Sequence, residues 1–364
     1  MSSVTVRGDL VIGVDVGGTK VAAGLVDASG EILCQTRNPM ASSGSAADGL
    51  AAVAQAIDAA SGYGVSVAGA HNLIRGIGIC SPGPLDPKAG VIVNPPNLPC
   101  WRNFPLAEEV AQIYRVRVKV DNDANAAGLA ETLWGSGRGY RNVFYTTIGT
   151  GIGTGIVLDG QIYHGRTGAA GEGGHVSIDY KGPRCACGKP GCIEVLAAGP
   201  AIARRAQAKL ADGRLSSLLD LAGGEIDGVT SEMVGQASLA GDAVASDVLH
   251  ETVELLSLWF GNIVDLLEPD VMIVGGGVAS MLKPFLGEIH DRLPACCENQ
   301  RCKEIPLVSA RYGKDSGIAG GAAICFDAAK NDNHTDPAVG RSEVPLSKQD
   351  ELAPPSPSKS RSSQ

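Results

Sequence analysis

Val11–Ile32 reads VIGVDVGGTKVAAGLVDASGEI, and Val143–Ile162 reads VFYTTIGTGIGTGIVLDGQI. Each is an apolar run, a glycine turn, a second apolar run, an Asp/Gly turn and the start of a third run. Short apolar, β-branched runs punctuated by tight glycine turns predict an antiparallel meander of three strands. Few residues are identical between the two stretches, but the layout repeats, which predicts two halves built on one plan. In the first half, strands are expected at Leu10–Val16, Val21–Val26, Glu31–Gln35, Ile74–Cys80 and Val116–Val120, with helices at Ala46–Ala60 and Ala124–Trp134. In the second, strands are expected at Val143–Ile148, Ile156–Leu158 and from Gln161. A long helix, Asp242–Leu267, follows, with apolar residues at three- to four-residue spacing and Pro269 as its stop. Val271–Val274 and Pro306–Ser309 read as strands, and Leu282–Arg292 and Asp315–Ala329 as helices. The expected organisation is an α/β domain over 1–120, completed by the C-terminal helix within 313–329, and a larger α/β domain over 121–312.

The chain has 364 residues, a length that fits two domains. Hydrophobic residues make up 44%, enough for a sizeable core. Thirty basic residues against 39 acidic ones leave a net charge of −9, so neither nucleic acid nor an anionic membrane is an expected partner. No apolar run reaches the roughly 18–20 residues that span a bilayer. The opening MSSVTVRGDLVIGVDVGG shows no apolar signal core, so a cytoplasmic, reducing location is expected. Ten cysteines in that setting do not predict disulfides. Asn331–Gln364 holds 12 Pro or Ser in 34 residues and no aromatic, so it is expected to be disordered.

Several motifs carry chemistry. In Asp15-Val16-Gly17-Gly18-Thr19-Lys20, a glycine pair between strands lets backbone N–H groups approach phosphate oxygens. Asp15, at the strand end, is placed to hold Mg²⁺ directly or through water. Gly149, Thr150, Gly151 and Gly153, in the run to Gly155, occupy the matching turn of the second half, so the two hairpins can clamp a triphosphate. Neither is a Walker loop. Gly275, Gly276 and Gly277 follow a buried strand, where α/β proteins place ligands and where glycines leave room for a base or phosphate. Asp123, after the strand Val116–Val120, has two readings: a helix N-cap, or a carboxylate that takes a proton from a substrate hydroxyl. His175, Cys185, Cys187 and Cys192 form a Cys3His set suited to a closed, structural zinc site, with Gly188 and Gly191 permitting the turns. Zinc there would bring Glu172 and Glu194 beside one point, as a polyol binder needs. Asn97, in NPPNL, offers a donor and an acceptor to a sugar hydroxyl.

DVGGTK, SPGP, NPPNL, DNDANAA, GTGIGTG, GEGGH and CACGKPGCIE occur in the order typical of ROK-family sugar kinases, from Leu10 to Ala328. The resemblance is closest to the bacterial ATP-dependent glucokinases of that family. It implies an actin-like (RNase H-like) ATPase fold, with two similar α/β domains around a central cleft. It implies that Asp123 is the catalytic base and that Gly83, Asn97, Asn122, Glu172, His175 and Glu194 contact the sugar. Gly17–Lys20 and Gly149–Gly155 become the ATP phosphate loops. The implied reaction is ATP-dependent, Mg²⁺-assisted phosphorylation of a hexose 6-hydroxyl, with glucose first and N-acetylmannosamine, N-acetylglucosamine or fructose as alternatives. A homodimer is also expected. ROK regulators share the domain but carry an N-terminal helix-turn-helix, for which nine residues before the first strand leave no room. Thr154 stands where many members have Gly.

Overall fold

Both glycine-punctuated stretches fold as the meanders their turns predict. The computed structural model describes residues 9–68 and 74–332. The first half runs β1 (Leu10–Val16), β2 (Lys20–Asp27), β3 (Ile32–Pro39), α1 (Ala46–Ala68), β4 (Ile74–Ser81), β5 (Leu85–Asp86), β6 (Val91–Ile92), α2 (Leu106–Tyr114) and β7 (Arg117–Asn122). The helix α3 (Asp123–Trp134) leads into β8 (Val143–Ile148), β9 (Ile152–Leu158) and β10 (Gln161–Ile162). Five helices follow: α4 (Ile193–Ala197), α5 (Gly199–Ala211), α6 (Leu218–Leu221), α7 (Ser231–Leu239) and α8 (Ala243–Leu267). The chain closes with β11 (Val271–Gly275), α9 (Gly277–Leu282), α10 (Leu286–Arg292), β12 (Leu307–Ser309) and α11 (Ser316–Asp332).

The strand order is β3-β2-β1-β4-β7 in one sheet and β10-β9-β8-β11-β12 in the other. In each, an antiparallel meander is extended on its first-strand side by two parallel strands. The parallel additions need crossovers, which α1 and α2 supply in the first sheet, and the long helical segment ending in α8 and then α9 with α10 supply in the second. This repeated mixed sheet is the actin-like ATPase architecture. Trp101 is fully buried in the core beside the first sheet, and Phe144, Trp259 and Phe260 pack edge to face in the core of the second.

Two helices join the halves. Ala124–Thr132 of α3 is buried without a break, because α11 covers one side and β8 and β9 the other. Glu131 in that run is fully buried, and its two oxygens accept the N–H groups of Ser136 at 2.8 Å and Tyr312 at 3.0 Å. The small-residue helix α11 lies on β1 and β4. A Cβ at Gly13 would stand 1.9 Å from the Ile318 carbonyl oxygen, and one at Gly78 would stand 1.7 Å from that of Gly321. The strand glycines thus admit the helix backbone at a distance any side chain would forbid.

Several boundaries differ from expectation. The strand expected from Ile156 begins at Ile152, so only Gly149–Gly151 is turn. The helix expected over 282–292 begins only at Leu286: Leu282 ends a separate short helix, and a 3₁₀ turn at Lys283–Phe285 intervenes, where Pro284 lacks the N–H that a continuous helix needs. The last helix reaches Asp332, two residues into the expected tail; 333–364 lie outside the described residues. No helix among the described residues is long and apolar enough to cross a membrane.

Candidate active site

The Cys3His set converges. Its four ligand atoms lie within 4.8 Å of one another. Cys185 Sγ is 3.6 Å from His175 Nδ1, and Cys187 Sγ is 3.6 Å from Cys192 Sγ. Zinc bonds of about 2.3 Å to sulfur and 2.0–2.1 Å to nitrogen set tetrahedral donors about 3.6–3.8 Å apart, so these spacings fit the ion. Gly188 and Gly191 take positive φ, +92° and +62°, at the turns that bring the thiols together. His175 ends a 3₁₀ turn that Trp259 anchors by donating to the Gly173 carbonyl at 3.1 Å. With Nδ1 toward the thiols, the same ring also borders the central cleft.

That cleft holds a cavity of about 530 Å³. Gly83, Asn122, Asp123, Glu172, His175 and Glu194 all line it, although they come from four separate stretches of chain. Asn122, not Asp123, caps α3: its side-chain oxygen accepts the N–H groups of Ala124 at 2.9 Å and Asn125 at 3.3 Å. Asp123 is the first helical residue, and its carboxylate also accepts from the Ala124 N–H, at 2.8 Å. Water can reach Asp123, yet dense protein surrounds it. Burial pushes its carboxyl up to about 6, against the Ala124 N–H and with help from the charges of Asp15 and Glu172. Burial likewise raises Asp15, against Lys20 and Arg37. Asp15 does not line the cavity, although its charge reaches Asp123.

Glu194 Oε2 accepts the Ile152 N–H at 3.0 Å, and Oε1 stands 3.9 Å from both Cys185 Sγ and His175 Nδ1. It therefore ties the second hairpin to the Cys3His cluster. Gly149, Thr150, Gly151 and Gly153 line the cavity from that hairpin, Gly153 from within β9. Thr154 points elsewhere: its hydroxyl donates to the Gly171 carbonyl and accepts the Gly173 N–H at 2.8 Å, which stitches β9 to the turn that carries Glu172. Thr154 therefore does not line the 530 Å³ cavity that the preceding glycines border.

Gly17, Gly18, Thr19, Lys20 and Asn97 do not line the cavity. The first hairpin closes with the Gly17 N–H on the Lys20 carbonyl at 2.9 Å, and Asn97 packs on Gly18. A second cavity of about 520 Å³ shares Gly149 and Thr150 with the first. Three helices start at its wall: α5 at Gly199-Pro200, α7 at Ser231 and α9 at Gly277. Helix N-termini present free N–H groups and suit anions. Of the expected triplet only Gly277 faces this space; Gly275 lies under the Tyr145 hydroxyl, and Gly276, at φ +95°, packs on the Ile148 backbone. Sequence reasoning missed Gly199, Pro200, Ala203, Thr230 and Ser231. The Thr230 cap signals a helix start, but nothing local assigns it to a ligand cavity.

The ROK family model matches residues 11–328. The chain is 31% identical over 315 residues to a glucokinase of Thermotoga maritima, covering 86% of this chain and 96% of the relative. It is 33% identical over 318 residues to a glucokinase of Streptomyces coelicolor, covering 86% and 97%. The structure of a Streptomyces griseus ROK family glucokinase, in complex with glucose and AMPPNP, superposes with a TM-score of 0.72 at 32% identity, covering 87% of this chain and 99% of that one. The duplicated fold, the Cys3His cluster at the cleft and this end-to-end similarity together make the chain a member of the ROK family.

Proposed function

We infer that the protein is an ATP-dependent hexose kinase that phosphorylates glucose at the 6-hydroxyl. One observation carries this reading: two cavities meet at Gly149–Thr150, one walled by carboxylates and an imidazole, the other by three helix N-termini. The first suits a polyol and the second a nucleotide. The glucokinase relatives and the neighbour that holds glucose and AMPPNP support it.

In this reading Asp123 accepts the 6-hydroxyl proton as oxygen attacks the γ-phosphorus. Its raised value brings it nearer working pH, which makes it a stronger base than an exposed aspartate. Asn122, Glu172, His175 and Glu194 fix the remaining hydroxyls, with Gly83 leaving room for the ring. The Gly149–Gly153 segment and, across the cleft, Gly17–Lys20 hold the triphosphate, and Asn97 reaches the sugar when the two sides approach. Asp15 is the residue placed to hold Mg²⁺, which offsets charge on the triphosphate when bound. His175, Cys185, Cys187 and Cys192 would hold zinc, which would keep the imidazole oriented toward the sugar. The assignment includes two domains, 1–120 with 313–329 and 121–312, and a cytoplasmic homodimer that uses exposed leucines such as Leu258 and Leu266 on α8.

An ADP-release assay with glucose, N-acetylglucosamine, N-acetylmannosamine and fructose tests the reading. Highest kcat/KM with glucose is expected. No ATP-dependent turnover of any hexose would overturn it.

A further inference from the structure

Asp121 and His164 are 43 residues apart in sequence and belong to different sheets' surroundings, β7 and the segment after β10. Their side chains meet at 2.6 Å, Asp121 Oδ2 to His164 Nε2. The other Asp121 oxygen accepts the Asn122 N–H at 2.7 Å and Asn125 Nδ2 at 3.3 Å. One carboxylate, 5% exposed, is thus divided between His164 and the first turn of α3, which carries Asn122 and Asp123. The His164 carbonyl accepts the Ala170 N–H at 3.2 Å, two residues before Glu172. His164 therefore touches the carboxylate that holds the first turn of α3 and, through its own carbonyl, the loop that bears Glu172.

The pair does not border the central cavity. It lines a separate cavity of about 330 Å³ behind α3, together with Lys88, Lys119 and Asp327. His164 cannot touch substrate from there, so any effect on turnover must pass through Asp121 and the backbone of α3. A buried carboxylate that loses one donor must seek another or shift. A shift here moves the residue next to the base. Misplacement of a reacting group by about 1 Å can lower a rate about 10²-fold.

We propose that the Asp121–His164 pair is a positioning latch that sets the first turn of α3, and with it Asp123, against the sugar hydroxyl. The proposal rests on the reading of Asp123 as the base of a hexose kinase. Sugar affinity is spread over several groups, whereas the attack geometry depends on one. Loss of the latch therefore lowers kcat more than sugar binding.

The test compares His164→Leu, which removes the donor, with His164→Gln, which keeps one, each at full zinc content. For His164→Leu, kcat falls about 10- to 100-fold while the glucose dissociation constant, read by calorimetry, stays within about threefold. His164→Gln recovers most of the lost rate. Asp121→Asn lowers kcat similarly, and the double variant His164→Leu/Asp121→Asn is no slower than the worse single one, because both break one contact. If His164→Leu does not fold, His164→Asn, whose amide is too short to reach, takes its place with the same expectation. A kcat within about threefold of wild type, an equal loss in glucose affinity, or no recovery in His164→Gln overturns the latch but leaves the kinase reading standing. A wild-type protein without hexose kinase activity overturns both.

Discussion

Replacing Asp123 with Asn separates the base from every simpler role the residue has. Burial, with the charges of Asp15 and Glu172, lifts its carboxyl from 3.8 to about 6. A rise of that size corresponds to about 3 kcal/mol of preference for the protonated form, and solvent access to the group reduces this to about 1 kcal/mol. A folded value above the unfolded one has a definite sign. The stabilising term is fully present below 3.8, where both states carry the proton, and is lost as pH rises through about 6. Asparagine imitates the protonated form at every pH and can still accept the Ala124 N–H. Asp123→Asn is therefore expected to melt about 1–3 °C higher than wild type at pH 7.5 and at the same temperature near pH 3.5. Its kcat falls about 10²–10⁴-fold, the usual effect of removing a general base. Glucose binding by calorimetry stays within about tenfold, since Asn122, Glu172 and Glu194 remain. Wild-type kcat/KM for glucose falls as pH drops through about 6. Scanning calorimetry at the two pH values and steady-state kinetics check this. Near-normal turnover in Asp123→Asn, or a lower melting temperature at pH 7.5, would refute the reasoning.

Elemental analysis should find about one zinc per chain, and Cys187→Ser should lose it together with activity and several degrees of melting temperature, since a structural zinc contributes to folding. Ala203→Trp fills the second cavity and is expected to raise the KM for ATP at least about tenfold while calorimetric glucose binding is unchanged; an unchanged KM places the nucleotide elsewhere. Gly78→Ala drives a methyl to 1.7 Å from the Gly321 carbonyl oxygen, so α11 must move off β4. Denaturant unfolding should register a loss of about 3 kcal/mol, the upper part of the range for overpacking.

The sequence alone was enough for whatever depends on neighbours along the chain. The meander Leu10–Val16 to Gln35, its repeat from Val143, and the close of the long helix before Pro269 follow from turn chemistry and apolar period. The Cys185–Cys192 spacing brings the thiols together through two glycine turns, whereas His175 joins them on a turn that Trp259 of α8 anchors. Other features exist only once distant segments meet. On paper Asp123 reads either as a cap or as a base; the helix geometry gives the cap to Asn122, and Asp123 lines the cleft. Thr154 reads as part of a glycine loop, and only the pairing of β9 from Ile152 turns it toward Gly171 and Gly173. The nucleotide-sized cavity needs three helix starts from 199, 231 and 277 at one wall, and the Asp121–His164 contact joins residues 43 apart. Backbone periodicity is a local property, set by sterics within a few residues. Cavities and shared carboxylates are set by which surfaces the two sheets bury together, and no window of sequence contains both sides of that contact.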